Sequence, residues 1–421
     1  MNKFFTVKHV SKKSKARLGE ITTSHGVVKT PGFISAATKG TIKSLFPQLI
    51  KEIGIQAGCV NTYHLVTHPG AEIIEKAGGI HKYSQLNIPL MSDSGGFQVF
   101  SLARKDKARD KSRPGETLPS LLKQADIRGD EEPFLVKISE AGVKFRSTYD
   151  GQLIEFTPEK SMEFQRKIGA DINMAFDECT YYPATHEYAE KAMVRTHDWL
   201  KRCIKYKASD QVTHNQYLYG VIQGATFEDL RKKSAEFVVS QNTPGVAIGG
   251  VSVGESKKEM REQVRWISDY LPKDRPVHLL GVGQIDDIVD LVKYGIDTFD
   301  CVEPTRLARM GRIYKINKAR CQNFLAPVGT LPLQGNPKSQ KISSTHFEYD
   351  FDILKSVYKA DLSPVDEGCN CYVCKNITKS YLHHLFKQRE ILGYTLATYH
   401  NLWVMERLFD KIREMILNSE L

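Results

Sequence analysis

Several residues able to do chemistry stand where short apolar runs stop. The run Ile88, Pro89, Leu90 leads into Met91 to Phe100, MSDSGGFQVF, which delivers Asp93 to a loop containing two glycines. Asp177 follows DINMAF at 171–176, Gln223 follows Tyr217 to Ile222, Gly249 and Gly250 follow Val246 to Ile248, and Asp300 follows Ile296 to Phe299. A carboxylate presented at the end of an apolar run can act as a nucleophile or carry protons, and glycines let a ligand come close to the main chain. Taken singly, each of these ends also reads as an ordinary turn, because Asp, Ser and Gly are common turn residues. Their repetition argues for a shared site.

A second constellation lies near the end of the chain. Cys369, Cys371 and Cys374 form C-x-C-x-x-C, and His400 follows after 25 intervening residues. Three thiolates and an imidazole match a closed tetrahedral zinc site, one structural ion with no position left for water. His383 and His384 are alternative fourth ligands. Cys59, Cys179, Cys203, Cys301 and Cys321 are scattered and read as reduced thiols, most of them core fillers.

The strand ends need a frame to position them. Thr157 and Pro158 signal a helix start, and Gly169 can end that helix after about Ile168. Helical patterns follow at about His186 to Lys207, from Thr226 to about Ser240 with a capping-box match of Thr226 to Asp229, over Met260 to Leu271, and from Ile285 to Gly295. Short apolar strands alternate with these helices, as in parallel sheets with crossover helices. An eight-stranded α/β barrel competes with an open doubly wound sheet. The barrel is preferred, since it would gather all the C-terminal strand ends at one mouth, and no glycine-rich dinucleotide fingerprint opens any helix.

Charge and composition narrow the partners. The 421 residues carry 59 Lys and Arg against 49 Asp and Glu, a net +10 that favours a polyanionic partner. No run approaches the roughly 18 apolar residues of a membrane span, and the start lacks a signal-peptide core, so a cytoplasmic protein without a membrane partner is expected. Residues 104–133 open with RKDKARDKSR, six basic and two acidic residues, and read as a charged surface insertion. A Pro-, Gly- and Ser-rich stretch at 324–344 reads as a loop. The His residues of NTYHLVTHPG at 61–70 are given no catalytic role.

Across nearly the whole chain and in order, SDSGGFQVFSL, MAFDECTYYPA, GVIQGATFEDLR, AIGGVSVGE, LLGVGQIDDI, GIDTFDCVEPTR and the cysteine motif resemble the bacterial-type tRNA-guanine transglycosylases. The resemblance implies a (β/α)8 TIM barrel with insertions and a C-terminal zinc subdomain. It implies exchange of the wobble guanine in tRNAs with a GUN anticodon (Asp, Asn, His, Tyr) for a 7-deazaguanine, through a covalent tRNA–enzyme intermediate, in queuosine formation. By that resemblance Asp300 is the nucleophile and Asp93 the general acid/base. Asp177 reads the guanine edge, Gln223 with Gly249 and Gly250 surrounds the base carbonyl, Phe97 stacks on the base, and Cys179 and Leu280 complete the pocket. Arg306 and Arg309 would bind tRNA, and a homodimer is implied.

Some positions depart from the family pattern. Phe97 stands where bacterial members commonly carry tyrosine, Ser252 replaces a common alanine, and Glu303 and Leu307 alter the loop after Asp300. Cys179 and Val253 match enzymes that take the small aminomethyl precursor rather than queuine. The expected organisation is a barrel core over 1–312, a loop and zinc subdomain over 313–405, and a C-terminal helix over 406–421. The competing reading is a catalytically silent tRNA-binding homologue or accessory subunit, disfavoured because Asp93, Asp177 and Asp300 are all present.

Overall fold

The computed structural model describes residues 3–96, 135–147, 150–209, 215–315 and 349–421. Eight strands close into a parallel barrel: β1 (Gly32–Ala36), β2 (Ala57–Val60), β3 (Leu90–Ser92), β4 (Ile172–Met174), β5 (Tyr217–Ile222), β6 (Gly245–Ile248), β7 (Val277–Leu279) and β8 (Thr298–Cys301). Each strand neighbours its predecessor in sequence, and β8 pairs with β1 through Phe299 opposite Phe33 and Asp300 opposite Ile34. Every residue of β1, β3, β4, β6 and β7 is buried. Strands covered on both faces lose the polar alternation of half-exposed ones, which is why they read as continuous apolar runs. The expected barrel is therefore what forms.

The chain packs as two compact units, the described residues of 38–40 and 60–275 in one and those of 1–37, 41–59 and 276–421 in the other. In the first, helix α1 (Pro158–Ile168) starts where expected. The Thr157 side chain accepts from the Lys160 amide, and Gly169 ends the helix at φ 77°. Helices α2 (His186–Ser209), α3 (Glu228–Ser240) and α4 (Lys257–Ile267) follow. Two start signals differ from expectation. Thr226 caps nothing, because α3 begins one residue after Phe227 and the Asp229 carboxylate instead meets His186 at 2.8 Å. The capping box that does form joins Ser256 and Glu259 at the head of α4. An antiparallel sheet (Leu135–Ser139, Gly142–Arg146, Leu153–Phe156) contributes Phe145 and Phe156 to an aromatic chain that continues through Phe176 to Trp199.

In the second unit, α5 (Ile285–Leu291) and α6 (Glu303–Arg309) flank β8 in sequence, followed by α7 (Tyr372–Asn376), α8 (Lys379–Lys387) and the long α9 (Ile391–Leu417). The division drawn at 405/406 thus falls inside one continuous helix. An antiparallel sheet of Phe5–Val10, Arg17–Thr23 and Gly26–Thr30 is tied to the start of β8 by Arg17, which donates to both Asp297 oxygens at 2.9 and 2.6 Å. Both side chains are buried, and the pair satisfies a charge that neither could carry alone in the core. The stretches at 104–133 and 324–344 lie outside the described residues.

Candidate active site

Asp93 follows directly on β3. Its Oδ1 accepts from the Thr62 amide at 2.8 Å and the Gly95 amide at 3.1 Å, and its other oxygen accepts from Asn61 Nδ2. Asn61 is itself fixed as the cap of helix Thr62–Thr67, its Oδ1 accepting from the His64 amide at 2.9 Å. Ser161 on α1 donates to the Ser94 carbonyl at 2.8 Å, holding the loop that carries the carboxylate. A Cβ at Gly96 would lie 2.6 Å from the Asp177 carbonyl oxygen, so only glycine lets this loop pack there.

Asp177 lies three residues beyond β4 and is buried. Ser94 Oγ donates to its Oδ1 at 2.9 Å and Gln223 Nε2 to its Oδ2 at 2.7 Å. Burial nevertheless outweighs these bonds and pushes the Asp177 carboxyl above its ordinary range. A carboxyl held toward its neutral form at depth can donate a hydrogen bond as well as accept one. Gln223 is held at the end of β5, its amide donating to Ser234 Oγ at 3.1 Å. Ser234 in turn meets His197, which burial keeps neutral, down to about 4.

The turn after β6 is shaped by a buried cation. Arg231, on α3 and fully buried, donates to the carbonyls of Ala225 (2.7 Å), Gly249 (2.6 Å) and Gly250 (2.6 Å) and to Gln263 Oε1 (2.7 Å). Burial lowers its guanidinium to about 10. Gly250 sits at φ 62°, and a Cβ there would fall 2.2 Å from Gln223 Oε1. Beyond it Glu255 accepts from the amides of Ser252 and Val253. Cys179 is raised to about 12 by burial beside Asp177, so its thiol stays protonated.

Asp300, in β8, is partly exposed, with its Oδ1 accepting from the Gly281 amide at 2.9 Å and facing His278 Nε2 at 3.2 Å. Leu280, between those two partners in sequence, is half-buried. Arg306 and Arg309 lie on α6, three and six residues after Glu303. Arg306 is exposed, while Arg309 donates to the Thr305 carbonyl at 2.8 Å and is lowered by partial burial.

The ligand atoms of Cys369, Cys371, Cys374 and His400 lie within 4.8 Å of one another, and all four residues are buried. His400 Nδ1 is 3.5 Å from Cys371 Sγ and 3.2 Å from Cys374 Sγ. Zinc with bonds of about 2.0–2.3 Å to such ligands gives tetrahedral edges of roughly 3.5 Å, so the cluster fits a single structural zinc ion. The His400 Nε2 lies 2.8 Å from the Tyr314 carbonyl, which can only accept, leaving Nδ1 bare for the metal. Next to it Asn401 accepts from the Tyr314 amide and donates to the carbonyls of Pro304 and Arg312. Among the described residues His400, rather than His383 or His384, is the histidine whose ring nitrogen joins the three thiols, and the His383 Nδ1 instead lies 2.7 Å from the Ile353 carbonyl.

Of the sequence-predicted residues, Asp177 and Gln223 are hydrogen-bonded to each other, Asp177 is bonded to Ser94 next to Asp93, and Gly249 and Gly250 are held by Arg231. Asp300 in the other unit meets His278 and Gly281, on either side of Leu280 in sequence. Phe97 lies outside the described residues. Asn61, Arg231, Glu255 and His278 were not anticipated. His278 had a visible signal, a histidine between Val277 and Leu279 in a buried run, whereas Asn61 shows its role only once the chain is folded.

Comparison with known proteins bears on the family of the chain. The family model described as queuine tRNA-ribosyltransferase matches residues 12–117 and 126–421, leaving out 1–11 and 118–125, so most of the expected 104–133 insertion falls within the match. A queuine tRNA-ribosyltransferase of Caldanaerobacter subterraneus subsp. tengcongensis is 41% identical over 409 residues, covering 97% of this chain and 92% of that protein. One of Aquifex aeolicus is 40% identical over 409 residues, covering 97% and 93%. A putative queuine tRNA-ribosyltransferase of Archaeoglobus fulgidus is 36% identical over 420 residues, covering 99% and 96%. With its barrel, its Cys3His cluster and a match over nearly its full length, the chain belongs to the queuine tRNA-ribosyltransferase family of pentosyltransferases.

Proposed function

We propose that the protein exchanges the wobble guanine of GUN-anticodon tRNAs (Asp, Asn, His, Tyr) for a 7-deazaguanine base. The observation that carries this reading is Asp177, a buried carboxyl pushed toward its neutral form and anchored by Ser94 and Gln223. Such a group matches the edge of a purine, which offers both donors and acceptors. A target base can meet it only by leaving the anticodon loop.

In the exchange, Asp300 attacks ribose C1′ and the bond from C1′ to the guanine nitrogen breaks, its electron pair leaving with the base. Asp93 supplies the proton that the departing guanine takes up. The incoming base then surrenders a proton to Asp93 and attacks C1′, releasing the Asp300 carboxylate. Two inversions retain configuration. Phe97 stacks on the base, Gly249, Gly250, Cys179 and Leu280 line its pocket, and Arg306 and Arg309 bind the phosphates. Cys179 and Val253 favour the aminomethyl precursor over queuine. The enzyme works in the cytoplasm as a homodimer; among the described residues, no helix is long and apolar enough to cross a membrane.

The test is incorporation of radiolabelled guanine into tRNA, repeated with the precursor and with queuine as competitors. Incorporation that disappears in Asp300→Asn, with a tRNA adduct trapped on a denaturing gel by the wild type, is the expected result. Tight tRNA binding with no incorporation would instead identify a silent homologue.

A further inference from the structure

We propose that His278 is the positioning residue for Asp300, fixing which carboxylate oxygen attacks and which holds the charge when the carboxylate leaves. The inference rests on Asp300 being the nucleophile. It starts from strand register. His278 on β7 pairs with Thr298 on β8, and Asp300 lies two residues on from Thr298, so all three side chains share one face of the parallel pair. His278 is fully buried, with both ring nitrogens engaged: Nδ1 is 2.9 Å from Thr298 Oγ1 and Nε2 is 3.2 Å from Asp300 Oδ1.

The partners set the proton. An ionised carboxylate only accepts, so Nε2 carries a hydrogen. The Thr298 hydroxyl, able to donate or to accept, holds the other ring nitrogen, Nδ1, and so fixes the plane of the ring. The Gly281 amide donates to the same Oδ1 at 2.9 Å. That amide is held in place by tight packing, since a Cβ on Gly283, two residues further on, would meet the Cys301 Cβ at 2.2 Å. Two donors therefore end on Oδ1, while no bond from the described residues to Oδ2 is seen.

This asymmetry has a chemical meaning. Oδ2 forms the bond to C1′, and Oδ1 becomes the carbonyl oxygen of the ester. When the second base attacks, the bond from C1′ to Oδ2 breaks and its electron pair returns to the carboxylate, whose charge spreads onto Oδ1 between two N–H donors. Those donors are in place before the charge develops, which is how preorganised hydrogen bonds lower a barrier. They also stop the carboxylate from turning, which keeps Oδ2 aimed.

The experiment compares full-length His278→Phe, His278→Asn, His278→Gln and Thr298→Val in guanine exchange, with melting curves and zinc content to establish folding. A glutamine amide nitrogen falls near Nε2 and can still donate to Asp300, whereas that of asparagine falls near Nδ1 and cannot. Phe and Asn are expected to lower kcat about a hundredfold with the KM for tRNA within about twofold, while Gln stays within about tenfold of the wild type and Val loses severalfold. His278→Phe at wild-type kcat, or Gln falling as far as Phe, would overturn the proposal. Asp300→Asn runs alongside: if it still exchanges guanine, the nucleophile assignment itself falls, an outcome separate from any result at position 278.

Discussion

Replacing Arg231 with methionine tests how the turn at Gly249 and Gly250 is held. The guanidinium serves four buried acceptors: the carbonyls of Ala225, Gly249 and Gly250 and the Gln263 side chain. Methionine fills most of the volume and serves none of them. Each buried acceptor left without a donor costs about 1–3 kcal/mol. Part of that sum is offset, because the folded protein no longer desolvates a full positive charge. The net expectation is a loss of about 3–5 kcal/mol, seen as a fall of roughly 4–6 °C in apparent melting temperature for a chain of this size. Lysine has one nitrogen in place of a planar fork, reaches one or two of the acceptors, and should fall between methionine and the wild type. Locality is read by hydrogen exchange: amides from Gly249 to Glu255 should lose protection first. A methionine variant that melts within about 2 °C of the wild type, or that keeps the 249–255 amides protected, would refute the view that this cation holds the turn.

Gly250→Ala puts a methyl 2.2 Å from Gln223 Oε1 at a left-handed φ of 62°, so the KM for guanine should rise at least about tenfold; an unchanged KM would remove that amide from base recognition. Glu406, buried on α9, is raised by burial to about 8. The folded state thus keeps a proton that the unfolded chain releases above about 4.5, and stability should decline as pH rises from about 4.5 to about 8, by at most about 1.4 kcal/mol per pH unit. Glu406→Gln should flatten that slope in urea titrations run across the window. Cys371→Ala should lose about one zinc ion per chain by elemental analysis and melt at lower temperature, whereas His383→Ala should keep its zinc.

What could be read in the amino-acid order follows from how far each signal reaches. Buried parallel strands announce themselves because both faces are apolar, and their ends stand out where Asp93, Asp177, Gln223 and Asp300 interrupt the run. The cysteine spacing carries its own chemistry. A capping box depends on where a helix begins, and Thr226 with Asp229 has the right letters one residue too early, while Ser256 with Glu259 has them in the right place. Arg231 was invisible for a different reason: an arginine inside a helix normally points to water, and only the fold shows four acceptors converging on it. The pairing of His278 with Asp300 depends on the register between two strands, which neither strand encodes alone.

His400 and Asn401 are consecutive residues with separate duties, one turned to the thiols and the other to the main chain of Pro304 in the arginine-bearing helix α6 and of Arg312 and Tyr314 just after it. Oxidation of one thiolate would therefore be felt beyond the metal. An oxidant that releases zinc would slacken the segment carrying Arg306 and Arg309, and, under the phosphate-binding role proposed for those arginines, redox damage would show first as weakened grip on a polyanion rather than as slower bond breaking.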